Sequence, residues 1–244
     1  MSGQSGDPQH ATPTISHAVV LGGAGEVGEG IVRTLAASGV QVLVPTRSAE
    51  RAAELARSMA AAATVHVIVA DIGTVEGAEA ARAAARRLSG PLDLVVASLG
   101  GWWQGADLVE VDPETWADIV QNGLTAHFTA ARTFLPLLRR GGSYTMVNGA
   151  GALRPVPKAG PVTIVAAAQL AMKDVLAAEQ RAHGVRVNTV LLATPVRTRS
   201  RPTGPADWLT AEDAGHVILR LAARDAGSGE TITLAGHAEA AAFR

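Results

Sequence analysis

Short apolar runs alternate with longer stretches of helical periodicity from residue 17 to residue 234. Residues 17–21, 41–44, 64–70, 92–97, 142–147, 185–191 and 231–234 read as strands. They are near-continuous apolar runs, the pattern of a sheet covered on both faces. Between them, residues 28–38, 48–60, 74–88, 113–138, 162–182 and 211–223 read as helices. Gly39 closes the first and Ser48 caps the second. Asp112-Pro113-Glu114 starts the fourth with a capping Asp, a Pro at the first helical position and an acid in the first turn. This βα alternation predicts one α/β domain over residues 17–244: a doubly wound, mostly parallel sheet of about seven strands with helices on both faces. Helices 113–138 and 163–182 are apolar on more than one face and are expected to be covered all round.

Residues 1–16 are polar, with Gly, Pro, Gln and Asp, and read as a flexible tail without the basic start and apolar run of a signal peptide. No apolar stretch is expected to reach the ~18–20 residues of a membrane span. The 244 residues carry a formal net charge of -1, which gives no electrostatic reason to expect nucleic acid or an acidic membrane as partner. A cytoplasmic protein acting on a small molecule is the expectation. The chain has no Cys, so thiolate catalysis and Cys-based metal sites are excluded, and no metal is expected.

Gly22-Gly23-Ala24-Gly25-Glu26-Val27-Gly28 lies between the first strand and the first helix. Glycines there serve a tight turn, close approach to a pyrophosphate and helix–sheet packing. The helix start offers free N–H groups and a positive dipole end to phosphates. That context marks a Rossmann-type dinucleotide site. At the end of the second strand, Thr46 stands where an NAD-binding fold usually carries an acid, and Arg47 follows. A guanidinium can pair with a 2′-phosphate, so NADP(H) is favoured over NAD(H); the alternative is a solvated surface Arg. Trp102 and Trp103 follow Gly100-Gly101 at the carboxyl end of the fourth strand, where ligands bind in such sheets. They read as an aromatic pocket wall or as packing beneath the loop.

Almost everything after residue 16 resembles the short-chain dehydrogenase/reductase family. Gly22, Gly25 and Gly28 match the GxxGxxG spacing of its extended and atypical branches, with Leu21 and Glu26 replacing a Thr and a Gly of the commonest form. A carboxylate at Glu26 would repel phosphate and is expected to point away. The resemblance implies that Asp71-Ile72 hold the adenine and that Ser98-Leu99-Gly100 replace the family NNAG segment. It also implies that Val196 and Thr198 meet the nicotinamide amide, and that Asn122 bends its helix and supports a proton-relay water. The helices 113–138 and 163–182 would build a homodimer or homotetramer.

The resemblance also exposes what is missing. The family's catalytic Ser falls on Gly151. Counting back from Glu179 and Arg186-Val187-Asn188, its YxxxK pair falls on Val162 and Ala166, or, with a slip of two, on Ile164 and Ala168. Tyr144 is the chain's one Tyr, at the start of a strand; Lys158 and Lys173 are its two Lys. The family Tyr donates a proton to the substrate oxygen, help worth ~10²- to 10⁴-fold in rate. Asn148, Lys158, His127 and Gln169 are the polar candidates for a substitute, with Asn148 and Lys158 placed in the substrate pocket. Three functions stay open: an NADPH-dependent oxidoreductase of altered substrate, a catalytically dead NADP(H)-binding sensor or scaffold, and a non-redox isomerase, lyase or cyclase on the same frame.

Overall fold

The computed structural model describes residues 15–60, 62–224 and 227–243. Seven strands form one parallel sheet in the order β3-β2-β1-β4-β5-β6-β9. They are β1 (His17–Leu21), β2 (Gln41–Thr46), β3 (Val65–Val69), β4 (Leu92–Ala97), β5 (Leu138–Gly149), β6 (Arg186–Leu192) and β9 (Thr231–Leu234). The helices are α1 (Glu26–Ala37), α2 (Ala49–Ser58), α3 (Val75–Ala85), α4 (Pro113–Val120), α5 (Ala126–Phe134), α6 (Gly160–Gln180), α7 (Ala211–Ala223) and α8 (His237–Ala241). Strand order reverses between β1 and β4, which opens a crevice outside the carboxyl ends of those strands.

The apolar strands serve both faces because successive side chains alternate. Ala18 and Val20 of β1, with Leu94 and Val96 of β4, join one core with α1, α2 and α7. Val19, Leu21, Val95 and Ala97 join the other with α3, α5 and α6. Ser48 and Asp112 cap α2 and α4 as their positions predict, accepting from the N–H of Arg51 and Thr115.

Several expectations are corrected. The segment read as one helix over 113–138 is α4, a π turn at Gln121–Thr125, α5, and a 3₁₀ turn at Leu135–Leu137. Pro136 cannot donate to a helical ladder, and β5 starts two residues later, at Leu138. β5 then jumps register against β4 between Leu92 and Leu94, where Gly141 turns with φ +80°. The short parallel pair β7 (Val196–Arg197) and β8 (Leu209–Thr210), and α8, are too brief for periodicity to reveal.

Of the expected tail, residues 1–14 lie outside the described residues. Residues 15 and 16 belong to the fold: Ile15 is in the core, and the N–H groups of Ser16 and His17 donate to the Asp93 carboxylate at 2.8 and 3.0 Å. One helix, Gly160–His183, is long and apolar enough to cross a membrane by length and composition, against the sequence expectation. In this fold it packs on β5 and β6. The helices expected to be covered all round keep Phe128 57% and Val175 56% exposed in the single chain.

Candidate active site

A cavity of about 910 Å³ opens along the carboxyl edge of the sheet, from the glycine turn after β1 to the segment after β6. The turn is built on close backbone approach. Gly22 has φ +75°, and a Cβ there would lie 2.0 Å from the Ser98 carbonyl oxygen; one at Gly28 would lie 2.0 Å from that of Gly22. Gly25 is the N-cap of α1, with no side chain capping the helix, and a Cβ at that position would meet only the Gly22 oxygen, at 3.1 Å. The α1 N-terminus therefore faces the cavity with space for an anion, and a pyrophosphate fits there. Gly22, Gly25, Glu26, Val27 and Gly28 all line it.

Glu26 turns its carboxylate to the segment after β7, accepting from the Ser200 N–H at 3.1 Å and hydroxyl at 2.9 Å. The Thr198 hydroxyl lowers its pKa most; burial opposes this, and Ser200 and Arg199 add to the lowering. Arg199 pairs with Glu54 and, at 3.4 Å, with Glu29. The short segment that would cover the cleft is thus pinned to α1 and α2.

At the far end, Thr46, Arg47, Asp71 and Ile72 lie outside the cavity lining. Arg47 reaches across the crevice: its Nη1 donates to Asn122 Oδ1 at 2.7 Å. The Asn122 Nδ2 donates to the Asp118 carbonyl at 2.9 Å. Asp71 accepts from the Gly73 N–H at 2.9 Å, and Ile72 is buried. The helix does break at Asn122, in the π turn, but its amide is engaged at both ends. The buried residue of that turn facing α6 is Gly123, where a Cβ would lie 2.6 Å from Val165 Cγ1 and 3.9 Å from Gln169 Nε2.

Among the described residues, the positions where the resemblance places the chemistry, Gly151, Val162 and Ala166, carry no hydroxyl, ammonium or imidazole; unpartnered hydroxyls stand at Thr194, in the lining, and at Thr163, beside Gly151. Val162 and Ala166 line the cavity, whereas Ile164 is 42% exposed and Ala168 is absent from the lining. The first of the two registers is therefore the one that faces the site. Gly151 also lines it, with open space around a Cβ out to Thr163 Oγ1 at 3.6 Å. Asn148 lines the floor, but donates to the Ala166 carbonyl at 2.9 Å and accepts from the Gly149 N–H at 2.7 Å.

The other polar candidates stand elsewhere. Lys158 is a correction: it is exposed, outside the lining, and turns the chain with φ +63°. Its carbonyl accepts from the Gly105 N–H at 2.8 Å. Tyr144 is fully buried in the second core, and burial pushes its hydroxyl pKa up. Lys173 donates to Asp174 at 2.5 Å and to the Gly229 carbonyl at 2.6 Å. His127 is buried behind the loop after β4, its Nε2 3.4 Å from the Leu99 carbonyl oxygen. Burial lowers its pKa to about 4.

Ser98, Leu99, Gly100, Trp102, Trp103, Val196 and Thr198 all line the cavity. Trp102 is 66% exposed, and Trp103 folds over Gly105, where a Cβ would lie 2.6 Å from its Cζ2. Arg154, Arg201 and Asp118 also line it and were not anticipated; each sits in an exposed loop or helix face, where charged residues are ordinary.

A glycine turn opening a helix at the switch point of a parallel seven-stranded sheet defines a Rossmann-type nucleotide-binding protein. A family profile described as Enoyl-(Acyl carrier protein) reductase matches residues 22–234. The chain is 28% identical over 214 residues to a galactitol 2-dehydrogenase (L-tagatose-forming) of Cereibacter sphaeroides, covering 81% of this chain and 80% of that one. It is 33% identical over 126 residues to a rhamnolipids biosynthesis 3-oxoacyl-[acyl-carrier-protein] reductase of Pseudomonas aeruginosa, a match spanning 52% of this chain and about half, 49%, of that relative. A solved short-chain dehydrogenase/reductase of Serratia marcescens superposes with a TM-score of 0.81 at 23% identity, covering 93% of this chain and 98% of that one. The chain belongs to the short-chain dehydrogenase/reductase family, whose members are oxidoreductases that bind a nicotinamide cofactor.

His127 gives the stability of the fold a pH signature. Its folded pKa lies below the ordinary value of 6.5, so the unfolded chain takes up a proton more readily. Its contribution to stability is complete above pH 6.5 and is lost as pH falls toward 4, by ~3 kcal/mol in all. In denaturant titrations across that window, His127→Phe should remove this component of the slope; an unchanged slope would contradict the assignment.

Proposed function

We propose that the protein binds NADP(H) in this cleft and reduces a conjugated C=C bond in a small apolar or aromatic substrate. The observation that carries the reading is the pairing of an intact phosphate cradle with an aliphatic centre at Gly151, Val162 and Ala166. The bound dinucleotide supplies the hydride. The chain's own residues do the rest: the free N–H groups at the start of α1 hold the pyrophosphate, and Trp102 and Trp103 offer an apolar wall that orients a flat substrate.

Reduction of an isolated carbonyl needs a proton on oxygen as charge builds there, help worth ~10²- to 10⁴-fold. Gly151, Val162 and Ala166 give no such proton. In a conjugated system the hydride goes to the distal carbon, the charge spreads onto the carbonyl, and the proton arrives at the carbon next to it. Water in an open cleft can deliver that proton. The family profile's description as an enoyl reductase accords with this chemistry.

For the cofactor, Arg47 is held by a neutral amide oxygen rather than a carboxylate, so its charge is left for a 2′-phosphate. A solved neighbour with TM-score 0.81 and 14% identity, ElxO, has NADP bound. By calorimetry, NADPH should bind wild type more tightly than NADH, and Arg47→Ala should lose roughly 1.5 to 3 kcal/mol toward NADPH alone. Equal affinities of wild type for the two would refute the preference.

The reaction is tested by incubating the enzyme and NADPH with an α,β-unsaturated aryl ketone and identifying the product by mass spectrometry and NMR. The saturated ketone is expected. An allylic alcohol as main product would show that the carbonyl, not the C=C bond, is reduced.

A further inference from the structure

We infer that Gln169 is a positioning residue that hydrogen-bonds the nicotinamide-side ribose of the bound dinucleotide; the inference rests on the cofactor reading above. Gln169 is 5% exposed and lines the cavity, and its side-chain amide has no hydrogen-bond partner among the described residues. The other buried amide of the lining, Asn148, has both ends engaged. Gln169 therefore keeps a donor and an acceptor for a ligand, as does the unpartnered Thr194 hydroxyl after β6.

Its place in the fold says which part of the ligand it meets. α6 follows β5 and leads back into parallel β6, so its first turn lies at the ligand edge and later turns lie deeper. Helical side chains lean toward the helix N-terminus, so the Gln169 amide rises beside Ala166, one turn nearer the mouth. Ala166 has a single methyl group and Gly123, opposite, has no side chain; Gln169 Nε2 occupies the space next to Gly123. Small residues on both sides thus leave the amide a path into the cavity floor.

A neutral group that both donates and accepts matches a hydroxyl, which does the same. The phosphates belong at the α1 N-terminus, and an apolar substrate belongs by Trp102, Trp103 and Val162, near the mouth. Between these two lies the stretch of the dinucleotide that carries paired hydroxyls.

The test compares two ligands that differ in this half of the molecule. NADPH has the nicotinamide ribose; adenosine 2′,5′-bisphosphate has only the adenosine end. Their affinities are measured by calorimetry for wild type, Gln169→Leu and Gln169→Met, with a thermal melt of each unliganded protein. Both variants should bind NADPH ~10-fold more weakly, the size of one or two net hydrogen bonds, and the bisphosphate as wild type does. Their melting temperatures should equal or exceed wild type, because an unpaired buried amide is being replaced by an apolar group of similar size. Unchanged NADPH affinity, or an equal loss for both ligands, would overturn the assignment. A wild type that binds neither ligand would overturn the reading of the cleft itself, and this inference with it.

Discussion

A side-chain atom at Gly22 or Gly28 would lie 2.0 Å from a backbone oxygen, so the ends of β1 and β4 and the start of α1 can meet only where two residues lack one. Everything in the cleft follows from that meeting. It sets the first turn of α1 against the crevice where the strand order reverses, and it leaves that turn uncapped by any side chain. The positive end of a helix is then turned toward empty space, the arrangement that receives phosphate. The carboxylate of Glu26, in that same turn, would oppose phosphate. It is drawn off by Ser200 and Thr198, so the feature that looks out of place in the sequence becomes the fastening of the segment beside the cleft.

The centre of the cavity is the opposite case. Gly151, Val162 and Ala166 supply neither a proton nor a fixed charge, and the Tyr, Lys and Asn side chains considered as substitutes are buried, engaged elsewhere or outside the lining. Tyr144 lies in the core, Lys173 holds Asp174 and the Gly229 carbonyl, and Asn148 ties β5 to α6. Burial keeps His127 neutral at ordinary pH. On the proposed reading the chemistry draws on the cofactor, the substrate and water.

Much of this was legible in the sequence. The strands announce themselves because a sheet covered on both faces needs unbroken apolar runs such as Leu92–Ala97. The glycine turn is readable because its spacing reports steric need. The absence of Tyr and Lys at the expected spacing is also plain, since only three such residues exist in the chain. What the sequence does not show are the properties that depend on tertiary partners. Asn122 lines the cavity, but Arg47, in the bend after β2 and 75 positions away, takes its side-chain carbonyl, and the turn presents Gly123 to α6. Lys158 lay in the right loop, but a positive φ turns the chain there and leaves it in solvent. The choice between positions 162/166 and 164/168 needed the helix phase, which a two-residue ambiguity in a shortened loop conceals. Gln169 was one polar residue in an apolar helix, and only the small neighbours Ala166 and Gly123 show that it reaches the cavity.

On the proposed reading, a competent frame lacks its acid catalyst. The direct measurement is the NADPH-dependent reduction rate of a simple saturated ketone by wild type and by the triple variant Gly151→Ser, Val162→Tyr, Ala166→Lys. Wild-type turnover is expected far below the ordinary range of ~1 to 10³ per second, with a gain of ~10²-fold or more in the variant, the size of a restored proton donor. Wild-type turnover within the ordinary range would contradict that reading, since a proton donor would then already be at work in a cavity whose centre is aliphatic.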